Sequence, residues 1–156
     1  MSVKYEQYRK ECTQKGIEYQ DFICEQLHLK GIVLQNMQSR KYQYKRENLL
    51  GLEIKYDDIM SKTRRVYIET AEKAKPRGGE YVEAGIYRKD ESWMYGIGNY
   101  EVFYIFDKKG LQRLDKANPA WLFRPNPTPT SKGFCVPLDK ATQMAMKIIH
   151  FSNEVK

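Results

Sequence analysis

Gly51-Leu52-Glu53-Ile54-Lys55-Tyr56-Asp57-Asp58 and, after a short connection, Val66-Tyr67-Ile68-Glu69-Thr70-Ala71-Glu72-Lys73 are the two stretches whose reading decides the fold. Each alternates apolar residues with carboxylates and a lysine at a two-residue period, the pattern of a short strand. On an extended chain Glu53, Lys55 and Asp57 share one face, with Leu52, Ile54 and Tyr56 on the other. On the second strand Glu69, Ala71 and Lys73 lie together, opposite Ile68 and Thr70. Pairing the two as a hairpin brings Asp57 close to Glu69. Carboxylates held together repel unless a cation or a proton neutralises them. Oxygen ligands with open positions suit Mg²⁺ (or Mn²⁺), which keeps waters and a phosphate in its shell. A lysine beside such a site orients a water or stabilises developing negative charge. The bland reading of the same alternation is a half-buried hairpin with a solvated, charged outer face.

Outward from these strands, residues 15–27 (Lys15-Gly16-Ile17-Glu18-Tyr19 through Leu27) predict an amphipathic helix that Lys30-Gly31 stops. Ile32-Val33-Leu34-Gln35-Asn36 then reads as a strand. The order helix, strand, strand with an acid, strand with an acid and a lysine resembles the PD-(D/E)XK nuclease superfamily, in its Holliday-junction-resolvase type of arrangement. In that superfamily an acid on the second core strand and a Glu-x-Lys on the third bind Mg²⁺ and activate water, often helped by a glutamate on the first helix. The resemblance covers roughly residues 15–115. It implies Glu18 as the helix acid, Asp57 as the strand acid and Glu69 as the first acid of the third strand. Glu53, on the same strand face as Asp57, is read as a supporting ligand beside them. Two residues after Glu69, where the family's lysine is expected, stands Ala71. Lys73, one pleat further on the same face and about 6–7 Å beyond, is the lysine assigned to position the water, and Lys55 is the alternative source of that charge.

The charge balance agrees with a nucleic-acid partner. The 156-residue chain carries 27 Lys+Arg against 20 Asp+Glu, a formal net charge of +7. Carboxylates that must receive a phosphate need positive charge nearby, and clustered bases bind DNA through counterion release. The main cluster is Arg40-Lys41-Tyr42-Gln43-Tyr44-Lys45-Arg46, whose tyrosines are of a type that stacks on unpaired bases. Lys62-Thr63-Arg64-Arg65 adds a second group at the expected hairpin turn, and Lys73-Ala74-Lys75-Pro76-Arg77 a third. Arg40, Lys41, Lys45, Arg46, Arg64 and Arg65 are therefore the candidate DNA-backbone contacts. Each cluster is also what an ordinary solvated loop looks like.

Cys12, Cys24 and Cys135 are odd in number and widely spaced, as free thiols of a reducing cytoplasm are. His28 and His150 give no zinc or triad pattern. No apolar run approaches a membrane span, and the start has no apolar core of a leader, so a cytoplasmic location is expected.

Residues 80–87 read as a crossover helix, 93–98 and 101–106 as strands, and 108–114 as a helix. A proline-rich loop spans 117–131, followed by an edge strand at 133–138 and a helix from Asp139 to about Ile149. The expected fold is α/β, a mixed central sheet flanked by helices and restriction-endonuclease-like, in one domain over residues 1–156. The expected activity is Mg²⁺-dependent hydrolysis of DNA phosphodiesters, and cutting both strands of a duplex calls for two sites and hence a homodimer. Two other functions stay open: a noncatalytic DNA-binding or assembly protein on the same fold, and, from Lys55-Tyr56-Asp57-Asp58, a nucleotidyltransferase with Lys55 as nucleophile.

Overall fold

The structure, a computed structural model, describes residues 3–36, 45–73 and 79–151. It opens with a long helix, α1 (Val3–Leu29). Its described residues before Tyr19 are exposed or half-buried. Its second half presents Tyr19, Ile23 and Leu27 at helical spacing, all buried. Each such burial stabilises by about 1.5–3 kcal/mol. The helix packs on a mixed four-stranded sheet of β1 (Leu52–Tyr56), β4 (Met94–Gly98), β5 (Val102–Asp107) and β7 (Lys147–His150), in that spatial order. The β1–β4 pair is parallel, and β4–β5 and β5–β7 are antiparallel.

A second sheet runs β3 (Val82–Glu83), β2 (Arg65–Glu72), β6 (Ser131–Pro137), antiparallel throughout. One turn of helix, α2 (Met60–Thr63), joins β1 to β2. A 3-10 turn at Gly85–Tyr87 precedes β4. Two more helices, α3 (Lys108–Ala117) and α4 (Leu138–Met144), complete the fold. The Asp107 carboxylate caps α3 by accepting from the Gly110 N–H at 2.8 Å.

Two apolar clusters lie on the two faces of the four-stranded sheet. Leu52, Ile54, Met94, Phe103 and Ile105 meet α1, where Tyr19 donates to the Asn99 carbonyl at 3.0 Å. Tyr95, Ile97, Tyr104 and Phe106 meet Val66, Ile68, Phe134 and Val136 of the second sheet, with Leu111 and Leu114 of α3. The mixed sheet with flanking helices is as expected, and several elements differ. The two acidic strands do not form a hairpin: β1 pairs with β4, while β2 belongs to the second sheet. Residues 32–36 form no strand, apart from a single bridge between Asn36 and Asn48. The outer edge of β1 is already satisfied by side chains. Asn48 exchanges two hydrogen bonds with Leu52, at 2.6 and 3.0 Å, and Glu47 accepts from the Ile54 N–H at 3.0 Å. The expected helix at 80–87 is instead β3 and the 3-10 turn. The last helix stops at Met144, and Ile148 and Ile149 enter the sheet as β7, because the edge of β5 offers backbone partners that a longer helix forgoes.

Candidate active site

The parity of β1 places Glu53 and Lys55 on the face that carries Tyr95 and Ile97, toward the second sheet. Glu53 is therefore fully buried, and an isolated carboxylate there would be prohibitive. It survives because two ammonium groups reach it. Lys55 Nζ lies 3.0 Å from Oε1, and Lys108 Nζ, at the start of α3, lies 2.7 Å from Oε2. Lys108 also touches Asp90 at 3.4 Å, whose other oxygen faces Arg88 at 3.5 Å. Arg88 in turn lies 3.9 Å from Glu47. Burial pushes the Glu53 carboxyl up, but Lys55 and Lys108 together outweigh it and hold the group below its ordinary value. For Lys55, burial favours the neutral amine, while Glu53 and Glu69 prevail and keep it well above its ordinary range. Burial raises Glu47 despite the attraction of Lys55, and it raises the Tyr95 phenol so far that the hydroxyl stays protonated.

Glu69 comes from the other sheet. One oxygen sits 3.4 Å from Lys55 Nζ, and the other accepts from the Ser131 hydroxyl at 3.0 Å. The residue's position is fixed from behind: Gly85, at φ 53°, lies so close to the Glu69 carbonyl that a Cβ there would collide with it. Lys55 and Glu69 both line a cleft of about 570 Å³, together with Asp57, Asp58, Arg65, Tyr67, Tyr95 and Phe123. Lys15 of α1 reaches Asp58 at 3.6 Å.

Asp57 and Glu69 thus both line one cleft, although their strands are not paired. Asp57 is half engaged in holding the fold. Its oxygens accept from the backbone N–H groups of Ile59 and Tyr67, both at 3.2 Å, which ties the end of β1 to the start of β2. Burial raises its carboxyl above the ordinary value, and these two donors only partly oppose that.

Lys73 does not join the cleft-lining group. A register shift in the β2–β6 ladder between Glu69 and Ala71 breaks the two-residue parity, and Lys73 lies over the Tyr81 ring, 4.4 Å from its centroid. Glu18 is exposed on α1, accepting from Gln14 at 2.9 Å, and does not line the cleft. Of the basic residues, Arg65 lines the cleft and lies over Phe123. Arg64 is the left-handed residue that ends α2, and Arg46 pairs with Glu91 at 3.4 Å. Lys45 accepts from the Glu91 N–H through its carbonyl at 2.5 Å, and neither it nor Arg46 lines the cleft. Arg40 and Lys41 fall outside the described residues.

The amine at the site is Lys55. Its signal was in the sequence: Glu53-Ile54-Lys55 has the Glu-x-Lys spacing that Glu69 lacks. Lys108, Ser131 and Phe123 carried no such signal, since only the packing of α3, β6 and the proline-rich loop brings them here.

Oxygen donors from two carboxylates beside an ammonium match the coordination habit of Mg²⁺, which takes one or two protein carboxylates and completes its shell with water and phosphate. Asp57 and Glu69 are the residues that would hold it. Among the described residues no group of three or more His, Cys, Asp or Glu side chains is gathered closely enough to cage a metal on its own. No helix among the described residues is long and apolar enough to cross a membrane. Comparison with protein-family models, with curated proteins and with solved structures finds no match to this chain.

Proposed function

We propose that this chain is a metal-dependent nuclease that hydrolyses DNA phosphodiester bonds, its site of the PD-(D/E)XK type on a restriction-endonuclease-like sheet. One observation carries the reading: Lys55 Nζ stands between Glu53 and Glu69 at the wall of a cleft that also holds Asp57 and Arg65. A bound Mg²⁺ or Mn²⁺ would polarise the phosphate and acidify a water. Glu69 and Asp57 are the residues that would hold the cation. Lys55, kept charged by Glu53, then donates to the attacking water or to the phosphate oxygen that gains charge. Arg65 holds the phosphate backbone, assisted by Arg64 and by the basic segment at residues 40–46. DNA is the partner, and a homodimer is called for only where both strands of a duplex are cut.

The same geometry disfavours nucleotidyl transfer. Covalent capture of a nucleotide needs a neutral lysine, and the two glutamates hold Lys55 as an ammonium. A second reading has an observation of its own. Glu53 is neutralised by two lysines and Asp57 is occupied by backbone N–H groups, which is how a protein that binds DNA without cutting it would retire these acids.

The deciding experiment offers labelled single-stranded, duplex and four-way-junction DNA to the protein with Mg²⁺, Mn²⁺ or EDTA. Metal-dependent cutting abolished by Glu69→Gln and by Lys55→Met is the expected result. Salt-sensitive binding with no cutting in either metal transfers the assignment to the binding protein. A thermal melt supplies a check independent of turnover: saturating Mg²⁺ stabilises the wild type by about 2.7 kcal/mol at a hundred times its dissociation constant, and Glu69→Gln removes that shift.

A further inference from the structure

The cleft wall that carries no carboxylate is aromatic and cationic. Phe123 belongs to the proline-rich loop between α3 and β6, yet its backbone is not free. Its N–H donates to the Cys135 carbonyl at 3.3 Å, and the Cys135 N–H donates back at 2.7 Å. The residue so held is 44% exposed. The Arg65 guanidinium lies over it, 4.3 Å from the centroid. The next arginine along the loop is directed elsewhere: Arg124 bonds the Asp115 carboxylate and the Asn118 side chain, both at 2.8 Å. Pro125 continues the same wall.

Phe123 keeps much of its apolar surface in water while its backbone is anchored, so that surface is free to meet a ligand. A planar cation beside an aromatic face is, in contrast, the arrangement on which nucleobases stack, and it is indifferent to sequence because every base has a π-face. In a duplex both faces of an internal base are already covered by its neighbours. The cleft volume of about 570 Å³ is that of a small-ligand pocket, a scale that receives a nucleotide.

We propose that Arg65 and Phe123 form a stacking platform for an unpaired nucleobase, so that the cleft takes single-stranded DNA or the unpaired nucleotides of a branch, flap or frayed end. This rests on the reading of the cleft as a phosphodiester site and narrows its substrate. The base seated on the platform sets its neighbouring phosphate toward Lys55 and Glu69, which line the same cavity. Single-strand selectivity then comes from stacking, and the carboxylates play no part in it.

The test measures binding apart from cutting. A short single strand carrying 2-aminopurine, and the same strand annealed to its complement, are titrated with the whole chain in Ca²⁺ and again in EDTA. The wild type is expected to quench the probe in the single strand and to bind it more tightly than the duplex. Phe123→Leu should weaken single-strand binding about ten- to a hundredfold and abolish quenching, while Phe123→Tyr keeps both. Arg65→Lys keeps the charge but loses the planar stack, and so loses quenching while retaining salt-dependent binding. Equal affinity for single strand and duplex, or quenching unchanged in a folded Phe123→Leu protein, overturns the platform. Aromatic-dependent single-strand binding in a protein that never cuts removes the nuclease reading and leaves the platform standing. Cutting of duplex that is unaffected by Phe123→Leu does the reverse.

Discussion

Lys55 Nζ lies 3.4 Å from Glu69 Oε2 although the two residues sit in different sheets, and the same ammonium is 3.0 Å from Glu53 Oε1 in its own strand. One lysine therefore neutralises a buried carboxylate on one side and a cleft carboxylate on the other. Such a position has consequences for activity, for pH dependence and for the way the two sheets are joined.

Lys55→Met should lower the single-turnover cleavage rate by about 10²–10³-fold, the usual effect of removing one preorganised donor. The loss should persist at saturating DNA, because the donor acts on the charge that develops during reaction and contributes little to binding the phosphate beforehand. A loss that disappears at saturation would place Lys55 in binding alone.

The pH dependence of stability follows from two opposed shifts. Glu53 is held below its ordinary value of 4.5, so its contribution is complete above that pH and is lost as the pH falls through the lowered folded value. Lys55 is raised well above 10.5, so its contribution is complete below that pH and disappears only as the pH rises through the elevated folded value. Urea midpoints measured across both ranges should show a plateau with an acid limb and a far alkaline limb. In Glu53→Gln the component of the acid limb that belongs to this residue vanishes.

Lys108→Met leaves buried Glu53 and Asp90 short of one ammonium and should cost about 3–5 kcal/mol, the range for removing one partner of a buried ion pair. Combining it with Glu53→Gln should cost clearly less than the sum of the two single changes. Denaturant titration of the four proteins gives the coupling energy, and simple additivity would mean that the 2.7 Å contact is energetically idle.

Gly85→Ala should destabilise by more than about 1 kcal/mol, because the residue is in the left-handed region and its added methyl meets the Glu69 backbone. Cleavage should fall further than stability accounts for, since the same collision displaces Glu69. Rates measured well below the melting temperature, where both proteins are fully folded, separate the two effects.

Much of this was legible in the residues themselves. Alternation within 52–56 assigned Leu52 and Ile54 to one face and Glu53 and Lys55 to the other, and the strand follows that assignment. The amphipathic pattern of residues 15–27 announced the part of the helix that covers the sheet, although the helix itself starts at Val3. The choice of Asp57 and Glu69 as acids that share a site came from an expected hairpin and a family resemblance; the hairpin is absent, yet both residues line the cleft. Lys73 was misplaced because parity holds only while a strand keeps its register, and the irregularity after Glu69 is invisible to a period count.

What the sequence by itself determined is local: which side chains share a strand face, and that bases and acids are interleaved along the chain. Tertiary structure alone decided which strand each acidic segment pairs with, because strand pairing is a long-range choice settled by which edges remain unsatisfied. Asn48 and Glu47 close one edge of β1, β4 takes the other, and β2 is left to pair with β6. That arrangement turns the charged face of β1 toward the second sheet, so that Glu53 must find Lys108 from a helix far along the chain. It also sets Phe123 beside Arg65, a contact between distant segments that no local pattern could have announced.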